Sequence, residues 1–251
     1  MNRPLILVSN DDGHFSRGIH ALRAALREVG DVIVSAPEAE QSAASHALSL
    51  HKPLRIRDVG DGVFAVDGTP ADCVYVALHS EGRILPRRPD LVVSGINHGL
   101  NLGQDVFYSG TVAAAREGAL RGISAIATSA HIKADFDAVA AKVAELAQRV
   151  LTLQSAGARA TLLNVNFPRE WSGGFTATRT GARIYDEVLD FRKDPRGRDY
   201  IWLGGPGVRH DPDPGSDTDA YDRGLVSVTP LMLDLSAGDQ LTGLAALLAA
   251  K

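Results

Sequence analysis

Four consecutive apolar residues, Leu5-Ile6-Leu7-Val8, stop abruptly at Ser9-Asn10-Asp11-Asp12-Gly13. A run this short, with β-branched members and closed by turn formers, is the pattern of a strand buried on both faces. Such strands occur in parallel sheets that helices cover. The next residues agree: Ile19, Leu22, Leu26 and Val29 recur at helical spacing, Gly30 is a stop, and Val32-Ile33-Val34 is a second strand ended by Pro37. The unit is β-α-β, which requires a right-handed crossover.

The alternation continues. Leu54 to Val59 and Val63 to Val66 read as strands joined by Gly60-Asp61-Gly62. Thr69, Pro70 and Asp72 announce a helix as N-cap, first helical residue and capping acid. Asp90 to Val93 is another buried strand, opening into a polar loop from Ser94 to Gly110. Thr111 to Arg121 is helical, Ile123 to Thr128 a strand, Ala134 to Leu153 a helix and Thr161 to Phe167 a strand. The fold class is α/β: a Rossmann-like, doubly wound, mostly parallel sheet over residues 1–168. Residues 169–251 form an extension rich in Gly, Pro, Asp and Arg. It has short strand-like pieces such as Tyr200 to Leu203, a last strand at Leu225 to Thr229 and a helical tail at Leu241 to Ala250.

Composition narrows the function. The 26 basic and 30 acidic residues leave a net charge of −4, which argues against sequence-independent binding to duplex DNA. The single cysteine, Cys73, cannot make an intrachain disulfide. Neither end carries the pattern of an export signal or a membrane span. A soluble protein of the reducing cytoplasm is the expectation.

In open α/β sheets ligands bind beyond the carboxyl ends of the strands. There the sequence places Asn10, Asp11 and Asp12 after the first strand, Gln41, Ser42 and Ser45 after the second, and Ser94, Asn97 and Asn101 after the strand ending at Val93. Adjacent carboxylates repel unless one keeps a proton or a cation neutralises both. Asp11, Asp12, Ser42 and Asn97 all offer hard oxygen, which suits Mg²⁺, Mn²⁺ or Ca²⁺ rather than Zn²⁺. An isolated Asp-Asp-Gly is more simply a solvated turn; the converging loops favour a metal. Tyr108-Ser109-Gly110-Thr111 lies at a helix start, where free N–H groups, two hydroxyls and a glycine suit an anion. Thr111 alone would be a plain N-cap. Metal and anion sites on one sheet edge point to phosphoryl-ester chemistry. Gly60-Asp61-Gly62-Val63-Phe64-Ala65 matches a dinucleotide fingerprint but links two strands and opens no helix. His46 and His98 lie in the polar loops, as acid–base groups or as structural histidines.

Taken together, the motifs resemble the SurE (survival protein E) family of nucleotidases. They are Asn10-Asp11-Asp12-Gly13, Ala36-Pro37 with Gln41-Ser42, Asp67 to Val74, Ser94 to Asn97, Asn101-Leu102-Gly103, Tyr108 to Val112, Asn164 to Pro168, Asp194 to Gly197, Ser216 to Asp219 and Val228 to Leu231. The resemblance implies a metal-dependent phosphatase of nucleoside 5′- or 3′-monophosphates, with short polyphosphate as a further substrate of some members. It implies one divalent ion per subunit (Mg²⁺, Mn²⁺ or Co²⁺) on Asp11, Asp12, Ser42 and Asn97. Asp11 and Asp12 are then the catalytic acids. The implied phosphate contacts are Asn101, Ser109, Gly110 and Thr111, with Asn10 beside them on the substrate side. An extension exchanged between subunits of a homodimer or homotetramer is also implied. The chain departs from the family at Ala43, often Gly, at Ser49 and Ala113, and at His14-Phe15-Ser16-Arg17 on the pocket rim. Direct attack by a metal-activated water is the expected mechanism. The proton acceptor stays open between Asp11 and a histidine. The rivals are another metal hydrolase on the same scaffold and a nucleotide sensor that binds without turnover.

Overall fold

The computed structural model describes residues 3–186, 188–204, 207–210 and 212–249. β1 (Leu5–Ser9), α1 (Arg17–Leu26) and β2 (Asp31–Pro37) make the opening β-α-β unit. β3 (Ile56–Gly60) and β4 (Val63–Val66) follow, then α2 (Pro70–Leu78) and β5 (Leu91–His98). Next come α3 (Asp105–Tyr108), α4 (Gly110–Leu120), β6 (Ala125–Ala130), α5 (Phe136–Ser155) and β7 (Leu162–Phe167). Beyond lie β8 (Phe175–Ala177), β9 (Arg183–Tyr185), β10 (Leu189–Lys193), β11 (Asp199–Leu203) and β12 (Val208–His210). The chain closes with α6 (Asp217–Asp222), β13 (Val226–Leu231) and α7 (Leu241–Ala249). Ala250, where the expected tail helix ends, lies outside the described residues.

Nine strands form one sheet in the order β3-β4-β2-β1-β5-β6-β7-β13-β8. From β4 to β7 every neighbouring pair is parallel. β3 and β13 run antiparallel at its flanks. The apolar faces explain the order. Ile6, Val8, Ile19, Leu22, Val93, Val139 and Val143 pack on the side of α1 and α5, while Leu7, Val74, Val92, Val112 and Ala115 pack on the side of α2 and α4. The capping residues act as their chemistry requires. Asp72 Oδ2 accepts from the Thr69 N–H at 2.9 Å, and Thr69 Oγ1 accepts from the Asp72 N–H at 3.1 Å.

Two regions differ from the sequence expectation. β5 does not stop at Val93: it continues to His98, pairing Asn97 with Ser129 and His98 with Ala130 of β6 after a register shift. Ser94 and Ile96 are fully buried, so this polar stretch is strand in spite of its composition. α3 interrupts the rest of the expected loop. The stretch after Phe167 is also of two kinds. β8 and β13 complete the main sheet, whereas β9 pairs with β12 and β10 with β11 in two ribbons outside it. Asp194-Pro195-Arg196-Gly197 is the β10–β11 turn. Asp194 Oδ1 there accepts from the N–H groups of Arg196 and Arg198 at 2.8 and 3.0 Å.

Candidate active site

β1 lies between β2 and β5, so the chain leaves it in opposite directions on its two sides. A crevice opens at such a switch point, beyond the strands' carboxyl ends. It holds a cleft of about 780 Å³ lined by Asp11, Asp12, Ser42, Asn97, Asn101 and Ser109. Six of the sequence-derived site residues thus come together. The remaining three, Asn10, Gly110 and Thr111, sit behind the lining.

Asp11 is only 6% exposed. Burial pushes its pKa from an ordinary 3.8 up to about 6; the neighbouring Asp12 adds to this, and the hydroxyl of Thr111, which donates to Asp11 Oδ1, opposes it. Burial raises the Asp12 carboxyl as well, helped by Glu40 and countered by His98. The His98 N–H donates to Asp12 Oδ2 at 3.2 Å and the imidazole Nδ1 stands 4.0 Å from Oδ1. Asn97 donates its amide N–H to the Gly99 carbonyl at 3.0 Å, which leaves its side-chain oxygen for a ligand. The Ser42 hydroxyl donates to Glu40 Oε1 at 2.6 Å, which leaves its lone pairs free. Among the described residues no three His, Cys, Asp or Glu side chains gather as a metal site. The donor set is two carboxylates with neutral oxygens, and its unneutralised acids fit a hard divalent cation.

The raised Asp11 pKa sets a pH dependence. A carboxyl with a folded pKa near 6 and an ordinary value of 3.8 stabilises the fold below pH 3.8, and that stability is lost as pH rises through 6. The shift is worth about 3 kcal/mol at most. Metal-free protein is therefore expected to lose Tm as pH rises from about 4 to 6, by a step that Asp11→Asn lacks. Mn²⁺ affinity is expected to rise over the same interval as the competing proton leaves. Calorimetry of the metal-free protein and Mn²⁺ titration check the two signs.

The anion side is built differently from the sequence expectation. Ser109, not Thr111, caps α4: its Oγ accepts from the Val112 N–H at 3.1 Å, so its own proton is free to donate into the cleft. The Thr111 hydroxyl is committed to Asp11 and is fully buried. The Thr111 backbone N–H also faces the Asp11 carboxylate, so what this turn offers an anion is the Gly110 N–H at the start of α4. Gly110 is there for close approach, since a Cβ would stand 2.9 Å from both the Asp11 Cβ and the Pro70 ring. Asn10, fully buried, donates to the Gly13 carbonyl and to Ser16 Oγ, both at 2.9 Å, so it shapes the loop rather than facing substrate.

Several residues that the sequence did not mark as functional hold these groups. Asn164 and Asn166, two apart on β7 and so on one face, both donate to the Asn101 carbonyl, at 2.7 and 3.0 Å. Asn166 Oδ1 also accepts from the Asn101 N–H at 2.8 Å. Asp217, at the start of α6 and fully buried, accepts from the N–H of Gly103 at 3.0 Å and of Gly181 at 2.8 Å. A Cβ on Gly103 would stand 2.6 Å from the Gly181 carbonyl, so the two backbones touch. The Tyr185 hydroxyl donates to Asp105 Oδ1 at 2.7 Å, and both residues line the cleft. On the other wall the Gln41 N–H donates to the Asp11 carbonyl at 2.8 Å and the Ser45 N–H to the Tyr108 carbonyl at 2.9 Å. His46 is not in the cleft: its Nε2 lies 2.9 Å from the buried Glu117 Oε2, which removes it as a proton acceptor for bound substrate. His98 is the histidine that reaches the site. The sequence signal for the Asp217 and Asn164/Asn166 clamps was motif resemblance alone.

Residues 6–187 match the family model described as Survival protein SurE. A protein of Sorangium cellulosum named 5′-nucleotidase SurE is 60% identical over 99% of this chain and 97% of its own length. The chain belongs to the SurE family. Relatives of the same name from Myxococcus xanthus and Vibrio cholerae are 50% and 46% identical, each over 94% of this chain and over 90% and 94% of their own length. The crystal structure of the SurE protein from Aquifex aeolicus superposes with a TM-score of 0.82 at 39% identity, covering 97% of this chain and 99% of that one. The doubly wound sheet is therefore the SurE fold.

Proposed function

We propose that this chain hydrolyses nucleoside 5′-monophosphates to nucleoside and inorganic phosphate with one bound divalent cation. The observation that carries the reading is the joining, in one cleft, of two acids whose pKa values burial raises with the capped start of α4. The names of the relatives supply the substrate class. Asp11, Asp12, Ser42 and Asn97 would hold the cation. When bound, it would polarise a phosphoryl oxygen and acidify water.

The protein's own groups do the rest. The Ser109 hydroxyl and the Gly110 N–H donate to the phosphoryl oxygens, where charge is spread in the transition state. One Asn101 amide proton goes to Ser129 Oγ at 2.8 Å and the second is left for phosphate. Water adds to phosphorus, the ester P–O bond breaks, and the proton lost by water passes to Asp11 or His98 and from there to the departing nucleoside oxygen.

The same reading covers the assembly and the setting. α7 buries none of its residues and exposes Leu241, Leu244, Leu247 and Leu248. The β10–β11 ribbon exposes Phe191, Ile201, Trp202 and Leu203. Apolar surfaces of this kind mark interfaces, here those of a homodimer or homotetramer formed through residues 169–251. Among the described residues no helix is long and apolar enough to cross a membrane. A buried, unpaired Cys73 fits a reducing cytoplasm.

The test is phosphate release from each nucleoside 5′- and 3′-monophosphate and from short polyphosphate, with Mg²⁺, Mn²⁺ or Co²⁺ and with chelator. Metal-dependent release from 5′-monophosphates is expected. Tight AMP binding without release under every metal would replace the enzyme by a sensor.

A further inference from the structure

The polar floor of the cleft accounts for a phosphate, yet a cleft of about 780 Å³ is the size of a site for a whole small molecule. Its rim is apolar. Phe15 is 60% exposed, Tyr108 66% and Ile132 67%, and all three line the same cleft as Asp11 and Asn97. Leaving a large apolar side chain in water forgoes the gain of burying it.

Phe15 is exposed but held. Asn10 grips the chain two residues before it and one residue after it, Gly13 through the carbonyl and Ser16 through Oγ. The ring lies over Gly13, where a Cβ would stand 3.0 Å from it. His14 packs edge-on against it at 5.4 Å and 80°, and the His14 N–H is tied to the Pro37 carbonyl at 3.0 Å. Gly13, with φ +94°, turns the chain so that the ring stands at the rim. A fixed aromatic ring beside a phosphate site suits stacking on a planar base. Tyr108 stands directly before Ser109, with its carbonyl fixed by Ser45, and places a second ring next to the phosphate donors.

We propose that Phe15 is the platform on which the nucleobase stacks, with Tyr108 and Ile132 completing an apolar rim. The proposal rests on the nucleotide reading above and adds the part of the substrate that the floor does not meet. A π-face accepts any base, so the site discriminates weakly among bases and favours purines for their larger surface.

The test uses the full-length protein with Mn²⁺ and two phosphate esters, AMP and ribose 5-phosphate, which differ by the base. Loss of one stacking partner is expected to raise the KM for AMP about ten-fold or more in Phe15→Ala. The ratio of kcat/KM for AMP to that for ribose 5-phosphate is expected to fall by the same factor. Phe15→Trp is expected to restore the ratio, and Phe15→Leu, apolar without a π-face, to leave it low. Calorimetry gives a second readout: AMP should bind more tightly than inorganic phosphate, and Phe15→Ala should remove that difference. Equal losses for both esters, or a change of oligomeric state with the ratio intact, would overturn the platform and make Phe15 a loop or subunit contact. Should the wild type release phosphate from neither ester, the nucleotidase reading fails, and the AMP-against-phosphate binding difference still decides the platform.

Discussion

Asp11→Asn is expected to retain less than about a thousandth of the wild-type kcat/KM for AMP, a loss on the scale of the several kcal/mol that a bound cation supplies to a phosphoryl transition state. The substitution keeps the shape and one acceptor oxygen, so the Thr111 hydroxyl still has a partner. It removes one of the two negative charges that would hold the cation, and with it one candidate acceptor for the water proton. Stability moves the opposite way. Wild-type Asp11 is ionised at neutral pH in a place where burial disfavours the charge. The metal-free variant is therefore expected to melt above the metal-free wild type. Activity lost and stability gained at one position is the signature of a group held under strain for function. Steady-state assays and calorimetry read the two signs, and a variant with full rate and normal Mn²⁺ dependence would refute the role given to Asp11.

The second large effect is expected at Asp217, far from the acids in sequence. Its two carboxylate oxygens each accept one backbone N–H, from Gly103 and from Gly181. Asn offers one oxygen and turns an NH₂ toward the other donor, so a buried N–H loses its partner. The expected cost is about 2–4 kcal/mol, or roughly 5–15 °C in Tm for a domain of this size. Because Gly103 follows Asn101 by two residues, kcat/KM is expected to fall more than about ten-fold, on the scale seen when groups behind a site are lost. Mn²⁺ affinity, which the proposed function assigns to Asp11 and Asp12 on the opposite wall, should change less. Unchanged melting and unchanged phosphate release would show that the clasp is ornamental.

The core was legible because its signals are local. Leu5 to Val8, the Ile19-Leu22-Leu26 stripe and the Thr69-Pro70-Asp72 cap each carry their structure within a few residues. The convergence of Asp11, Asp12, Ser42 and Asn97 was legible for a related reason: polar groups at strand ends in an open sheet have one place to meet. What escaped was non-local. Ser94 to His98 reads as loop because its side chains are polar, and only pairing with β6 makes it strand. The Thr111 hydroxyl reads as an anion donor until Asp11 is seen beside it. Asn164 and Asn166 read as polar members of a strand until Asn101 appears between their amides. His46 and His98 look alike in sequence, and the partners Glu117 and Asp12 separate them.

The Asp217 clasp also has a consequence for the order of events during synthesis. By the time Phe167 leaves the ribosome, each acid, amide and hydroxyl of the floor has been made. The carboxylate that fastens Gly103 is fifty residues behind. A nascent chain can form its opening parallel strands early, as domains do while translation proceeds. Yet the wall bearing Asn101 settles only after the α6 segment has emerged and folded back. Full catalytic competence is therefore expected only near the close of translation, once residue 217 has emerged.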